Sequence, residues 1–308
     1  MESAKSKGKV VIIGAGFVGA TAAFSLTMSG MASELVLVDV FKEKAMGEAM
    51  DLNHGLCFMG QMSISDGHYS SVKDADIIII TAGAARKPGE TRLDLAKKNV
   101  GIIKDMVPKI MEHYNGGVIL VVSNPVDILT YMVQKLSGLP VGKVIGSGTV
   151  LDSARFRYQI SKHAGVDVKN VHGYIVGEHG DSEVPAWSVT HIAGKRMQDD
   201  TSLDKELIFQ EVRDAGANII KYKGATYYGI GVSITRICEA ILKDQNSILT
   251  VGSVIDGHYG INDVALSVPS IVNKEGLVSL YDVNFSEEDL VALRKSADKI
   301  KEVLEQVK

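Results

Sequence analysis

The chain has 308 residues, 45% of them hydrophobic, enough for one large domain or two ordinary ones around a sizeable core. Its 33 Lys and Arg against 37 Asp and Glu leave a formal net charge of −4. That balance argues against nucleic-acid and membrane-surface partners, which select a basic excess or stripe, and no apolar run nears the roughly 20 residues that cross a bilayer.

Short Val- and Ile-rich runs alternate with helix-length segments through the first half. Strands are expected at Val10–Ile13, Leu35–Asp39, Asp76–Thr81, Val118–Val122 and Val144–Ile145. The helices between and after them are Ala15–Ser29, Lys42–Cys57, Leu93–His113, Val126–Leu136 and Leu151–Ala164. Strands that are apolar throughout are covered on both faces, and strand–helix alternation implies right-handed crossovers. The expected fold is α/β, a doubly wound parallel sheet of Rossmann type. Beyond His163 the pattern changes. Strands fall around Val168–Val176, Val184–Val189 and Ser247–Ile255, and helices at Asp204–Tyr222, Ala225–Leu242 and Ser286–Val307, the last with an acidic first turn. This half reads as a C-terminal α+β substrate domain, giving an expected division into 1–148 and 149–308.

The two cysteines, Cys57 and Cys238, form no CxxC pair. They fit a reducing compartment and exclude a disulfide scaffold or a cysteine zinc site; no metal is expected. The Lys-rich start has no hydrophobic run with a cleavage site, so no signal peptide is visible and a cytoplasmic location is expected.

The run Val11-Ile12-Ile13-Gly14-Ala15-Gly16-Phe17-Val18-Gly19 is a dinucleotide fingerprint in context: it leaves a strand and opens a helix. Gly14 permits the tight turn, Gly16 lets backbone approach a pyrophosphate, and Gly19 lets the helix pack close to the sheet. Asp39 ends the next strand, 20 residues after Gly19. Its carboxylate can accept bonds from ribose hydroxyls and would repel a 2′-phosphate, so NAD is favoured over NADP.

Three further segments place polar residues at the carboxyl edge of the sheet or near the division. They are Thr81 to Leu93, with Arg86 and Arg92 among Gly and Pro; Ser123-Asn124-Pro125-Val126-Asp127; and the pair Leu151-Asp152-Ser153-Ala154-Arg155 with Gly177-Glu178-His179-Gly180-Asp181. Gly and Pro around the arginines suggest a loop able to close over a substrate. These residue types suit hydride transfer at a secondary alcohol. A histidine can take or give the hydroxyl proton, a buried aspartate can fix its tautomer, one arginine can grip a carboxylate, and another can polarise a carbonyl. Taken singly, each has a plainer reading: His179 as a surface-turn histidine, Asp152 as an N-cap, Arg155 as a solvated helix residue.

Together, GAGFVG, TAGAARKPGETRLDL, SNPVDILTY, IGSGTVLDSARFR and GEHGDSEVPAW resemble the L-lactate/L-malate dehydrogenase superfamily over essentially the whole chain, the bacterial lactate dehydrogenase branch most of all. The resemblance implies that His179 is the proton donor and acceptor, with Asp152 as its partner. It implies that Arg155 anchors the substrate carboxylate, Arg92 polarises the carbonyl, Asn124 hydrogen-bonds the substrate oxygen and Thr226 lines the pocket. Val18, Gly83, Ala84, Val122, Ser123 and Asn124 join Gly14, Gly16, Gly19 and Asp39 around NAD. The implied partners are a small 2-keto or 2-hydroxy acid and further copies of the chain, as a homotetramer or dimer.

Arg86 departs from the lactate-type pattern, in which that position is typically glutamine; in malate dehydrogenases it is arginine. Closing a lid on pyruvate would bury Arg86 unpaired, at a cost of several kcal/mol, whereas a second substrate carboxylate would gain about 1.5–3 kcal/mol. Malate and oxaloacetate are therefore the expected pair, with lactate and pyruvate as the alternative, although Glu90, Thr91, Leu93 and Thr226 are lactate-like. Arg157 and His172 match positions that bind fructose 1,6-bisphosphate in many bacterial lactate dehydrogenases; both also read as structural residues, as does His191. An NADH-sensing regulator needs no acid–base residue beside an anion clamp, and an NAD-dependent glycosidase needs metal-ligand positions that are missing.

Overall fold

The computed structural model describes residues 8–85 and 89–307. In chain order its elements are β1 (Lys9–Ile13), α1 (Phe17–Ser29), β2 (Glu34–Val38), α2 (Lys42–Gly55), β3 (Ser63–Asp66), β4 (Ile77–Ile80), α3 (Arg92–Met111), β5 (Val118–Val121), α4 (Val126–Ser137), β6 (Val144–Gly146) and α5 (Val150–Ala164). The second half adds β7 (Val171–His172), β8 (Ile175–Val176), β9 (Val184–Pro185), β10 (His191–Ile192), β11 (Lys195–Arg196), α6 (Lys205–Lys223) and α7 (Tyr228–Leu242). It ends with β12 (Ser247–Leu249), β13 (Gly252–Asp256), β14 (Asn262–Ser267), β15 (Ser270–Asn273), β16 (Gly276–Leu280) and α8 (Glu287–Val307).

The main sheet runs β14-β13-β6-β5-β4-β1-β2-β3. Its six strands from the first half are parallel, in the doubly wound Rossmann order, and β13 and β14 extend it antiparallel, β13 pairing Gly252 with Gly146. Ile77 to Ile80 shows why these strands are uniformly apolar. All four side chains are fully buried, with Ile78 and Ile80 on one face and Ile77 and Ile79 on the other. The first face packs under α3, α4 and α8, for example Ile103, Leu129 and Ile300; the second packs under α1, α2 and α7, for example Leu26, Ala49 and Ile237. A smaller cluster around Phe156, Ile160, Val171 and Ile208 joins α5 to α6.

The strand order reverses between β1 and β4, and ligands of such sheets bind in the crevice beyond that switch point. The loops Gly14–Gly19 and Thr81–Ala85 leave those two strands side by side, and Thr81 Oγ1 donates to the Gly14 carbonyl at 2.7 Å.

The second half differs from its sequence expectation. The strand expected over Val168–Val176 is two short strands in different sheets, β7 and β8, with Gly173 packed between against Thr190 and Phe156. Val184–Val189 stops as a strand at Pro185, which lacks an amide donor, and Ser247–Ile255 divides between two sheets. The helix expected from Ala225 starts at Tyr228, because Gly224 caps α6 in the left-handed region at φ 85°. Strands β3, β10, β11 and β14 to β16 were unforeseen.

Candidate active site

The backbone of the first half builds a loop shaped for a phosphate. Gly14 sits at φ 109°, and a Cβ there would lie 2.5 Å from the Ala82 nitrogen. At Gly19 a Cβ would lie 1.9 Å from the Gly14 carbonyl oxygen, so helix and turn touch only because both residues are glycine. Gly16 is the opposite case: a Cβ would meet nothing within 4 Å. It is also the N-cap of α1, with no side-chain cap and no acidic residue in the first turn. The open space over Gly16, beside a helix end with uncapped N–H groups, fits a dinucleotide pyrophosphate. Asp39 accepts the Ala15 amide at 2.7 Å and the Phe41 amide at 2.9 Å. Each carboxylate oxygen keeps a second lone pair, as a ribose acceptor requires. Val18 and Val122 line the adjoining cleft, and Ser123 Oγ donates to the Ala82 carbonyl at 2.7 Å.

A residue that sequence reasoning missed holds this edge together. Asn99 of α3 accepts from the Ala84 amide at 2.8 Å, and its Nδ2 donates to the carbonyls of Ala84 and Asn124, at 3.2 and 2.6 Å. One buried amide thus ties two loops that were expected to meet the cofactor; an Asn inside a helical run carries no local signal of that duty.

The second half brings side chains to the same cleft, a cavity of about 790 Å³ whose lining includes Asn124, Asp152, Arg155, His179, Arg92 and Thr226. Every acid–base and substrate residue expected from the sequence is therefore in one place, apart from Arg86, which lies outside the described residues. Asp152 is the hub. It occupies the first turn of α5, with Thr149 rather than Asp152 in the cap position, and it is 2% exposed. One carboxylate oxygen meets His179 Nδ1 at 2.5 Å, and the other accepts from Arg155 Nη1 at 2.8 Å. Burial opposes its negative charge, but the His179 imidazolium and Arg155 outweigh burial and hold the carboxyl below its ordinary value. The Asp152 charge in turn pushes His179 up to about 9, against the opposing effect of burial. The imidazole is then protonated at neutral pH, with Nδ1 committed to Asp152 and Nε2–H as its second donor.

Two more carboxyls surround the pair. Asp127 in the first turn of α4 accepts the His179 backbone amide at 2.8 Å, and burial pushes it up to about 7. Glu183, in the turn before β9, is 7% exposed and pushed up to about 8, first by burial and then by the Asp152 charge. Asp127 ended a segment already suspect in the sequence, as the fifth residue of Ser123-Asn124-Pro125-Val126-Asp127; nothing local marked Glu183. At the rim, Arg92 opens α3 behind the Thr91–Asp94 capping box and pairs with exposed Asp181 at 2.7 Å. Such an exposed pair is weak and readily exchanged.

A buried imidazole–carboxylate–guanidinium cluster and a crevice shaped for a nucleotide converge here, an arrangement that suits an NAD-dependent dehydrogenase of L-2-hydroxy acids. Residues 8–146 match the family described as lactate/malate dehydrogenase, NAD binding domain, and residues 149–308 match its alpha/beta C-terminal domain. The chain belongs to that family and uses NAD. It is 52% identical over 307 residues to the L-lactate dehydrogenase of Thermoanaerobacter pseudethanolicus, covering 97% of this chain and 99% of that one. It is 50% identical to L-lactate dehydrogenase 1 of Clostridium acetobutylicum, covering 98% and 99%. Among solved structures, the minor L-lactate dehydrogenase of Enterococcus mundtii, in a ligand-bound form, matches with a TM-score of 0.95 at 43% identity over 99% of both chains. The L-lactate dehydrogenase of Clostridium thermocellum matches at 0.90 and 63% identity, over 98% and 99%.

These relatives overturn the malate preference drawn from Arg86, since full-length likeness outweighs one loop side chain. The inference assumed that Arg86 must be buried unpaired when a monoanion binds, yet a guanidinium that reaches water bears no such penalty. The cleft also carries Asp181 and Asp214, so a second substrate carboxylate would meet acid groups as well as an arginine.

Proposed function

We propose that the chain is an L-lactate dehydrogenase, interconverting pyruvate and L-lactate with NAD in the cytoplasm. Its full-length likeness to proteins of that name supports the substrate. One observation carries the chemistry: a buried Asp152 carboxylate bridges an imidazole at 2.5 Å and a guanidinium at 2.8 Å in a single cleft.

In pyruvate reduction Arg155 grips the substrate carboxylate through its planar pair of N–H donors. His179 Nε2 donates its proton to the carbonyl oxygen as that oxygen gains charge, and Asp152 keeps the ring oriented and favours its protonated form. Arg92 exchanges Asp181 for the carbonyl oxygen and stabilises the developing charge, with the Asn124 amide as a second donor. Thr226 lines the space around the methyl group. NADH, when bound, would supply the hydride; Gly14, Gly16, Gly19 and Asp39 would hold its pyrophosphate and ribose, and Val18, Gly83, Ala84, Val122 and Ser123 would shape the rest of its site. In the reverse direction His179 is the base. With purified enzyme and NADH, pyruvate should show the highest kcat/KM in a panel of 2-keto acids. A kcat/KM for any other member about tenfold higher, equivalent to about 1.4 kcal/mol, rejects the substrate assignment.

The same reading includes nucleotide and substrate halves at 1–148 and 149–308. It also includes a homo-oligomer, dimer or tetramer, formed through exposed apolar residues such as Phe17, Phe24 and Met28 of α1 and Val232 of α7. Light scattering on the eluting protein tests this, and a monomer at micromolar concentration rejects it. Arg157 Nε donates to the Gly173 carbonyl at 3.2 Å, beside exposed His172, whose ring stacks on His191 at 5.0 Å. That cluster, repeated across a two-fold axis, supports a fructose 1,6-bisphosphate site. Unchanged rates at saturating sugar bisphosphate remove it.

A further inference from the structure

We propose that Glu183 is a positioning residue of the acid–base cluster: it carries a proton when the keto acid binds, and its ionisation weakens that binding. The inference rests on the 2-keto acid reductase reading above but not on which keto acid is the substrate.

Three features of the structure lead there. First, Glu183 lines the cleft itself, together with Asp152, Arg155 and His179. Second, it is more than nine-tenths buried, and among the described residues its Oε1 has no hydrogen-bond partner. The turn that holds it is closed by backbone, the Glu183 amide donating to the Gly180 carbonyl at 3.2 Å, so the side chain has no visible part in shaping the turn. Third, Glu183 is not the contact partner of either cation of the pair. His179 and Arg155 both meet Asp152 instead.

The charges that face Glu183 come from each element packed around it. Asp152 and Arg155 lie on α5, His179 on the preceding turn, Arg213 and Asp214 on α6, and Asp127 on α4 behind His179. Burial and the Asp152 charge favour the neutral acid, while His179, Arg155 and Arg213 only partly oppose them. A buried carboxylate without donors is costly, and a protonated one much less so. When an anionic substrate arrives on Arg155, a negative Glu183 beside that clamp would cancel part of its attraction; a neutral one would not. Substrate binding and the Glu183 proton therefore favour each other, by reciprocal linkage.

The alkaline loss of keto-acid affinity should then have two sources, His179 and Glu183. In Glu183→Gln only the first remains, because the amide is isosteric with the neutral acid. The ratio of kcat/KM at pH 6 to that at pH 9, with whichever 2-keto acid is reduced fastest, should be about tenfold smaller in Glu183→Gln, the effect of one pKa unit of coupling. The change should sit in KM rather than kcat. Superimposable profiles for the two enzymes overturn the proposal while leaving the reductase reading intact. Should Glu183→Gln fail to fold, calorimetry of oxamate binding to the wild-type NADH complex decides the matter. Titrations at pH 8 in two buffers of different ionisation enthalpy should show uptake of about half a proton, well above the roughly one-tenth that His179 can take, and uptake no larger than the His179 share overturns the proposal.

Discussion

The nucleotide loop and the acid–base cluster share one cleft but are made in different ways. The loop is built from backbone: glycines at 14, 16 and 19, a helix end without a side-chain cap, and carbonyls brought together by strand order. The cluster is built from charges: Asp152, Arg155, His179, Asp127 and Glu183 arrive from two helices and a turn, and each sets the protonation of another. A site of the first kind is sensitive to shape and tolerant of pH; one of the second kind is the reverse.

Substitutions can separate the two. His179→Asn removes the proposed proton donor and should lower kcat/KM by about 10²–10⁴, the range of general acid–base catalysis, while NADH binding measured by fluorescence stays within about twofold. Loss of NADH binding alongside would mean that the halves are not distinct. Arg155→Lys keeps the charge but not the paired donors. It should raise the KM for pyruvate about 100-fold, equivalent to about 2.7 kcal/mol, which steady-state kinetics can read. On the backbone side, Gly16→Val and Gly19→Val should fail differently. A Cβ at Gly16 meets open space, so that variant should fold and bind NADH at least about tenfold more weakly; one at Gly19 strikes the Gly14 carbonyl and should destabilise the fold itself by several kcal/mol. Equal melting temperatures for the two would show that the loop is looser than it looks.

The smallest effect concerns stability. Asp152 raises the folded pKa of His179 from 6.5 to about 9, so the pair stabilises the fold fully below about pH 6.5 and loses that contribution as pH rises through about 9. The Tm advantage of wild type over His179→Asn should shrink across that window; a constant advantage would place the stabilisation elsewhere.

The same contrast explains what was legible in the sequence. The loop occupies a short window, so spacing alone reveals Gly14, Gly16, Gly19 and Asp39. Strand β4 was equally plain, since four isoleucines buried on both faces leave no other reading. The cluster spans distances no local pattern covers: His179 is 27 residues from Asp152 and 52 from Asp127. His179, Asp152 and Arg155 emerged through resemblance, and Asn99 and Glu183 did not emerge at all, because their duties exist only after folding. Strand β3, Ser63–Asp66, was missed for a related reason. With one buried side chain it forms by pairing with β2 rather than by its own apolar pattern. The malate expectation erred by weighing a single charge without knowing whether it reaches water.

An imidazolium kept charged at neutral pH by Asp152 underlies every catalytic role assigned above. Nuclear magnetic resonance titration of His179 in ring-labelled enzyme, with Asp152→Asn alongside, reads that charge directly. A pKa near 9 in the wild type, dropping by at least about one unit in the variant, is expected. A wild-type value at or below 6.5, or one indifferent to Asp152, would mean that the pair does not hold the proton it is built around.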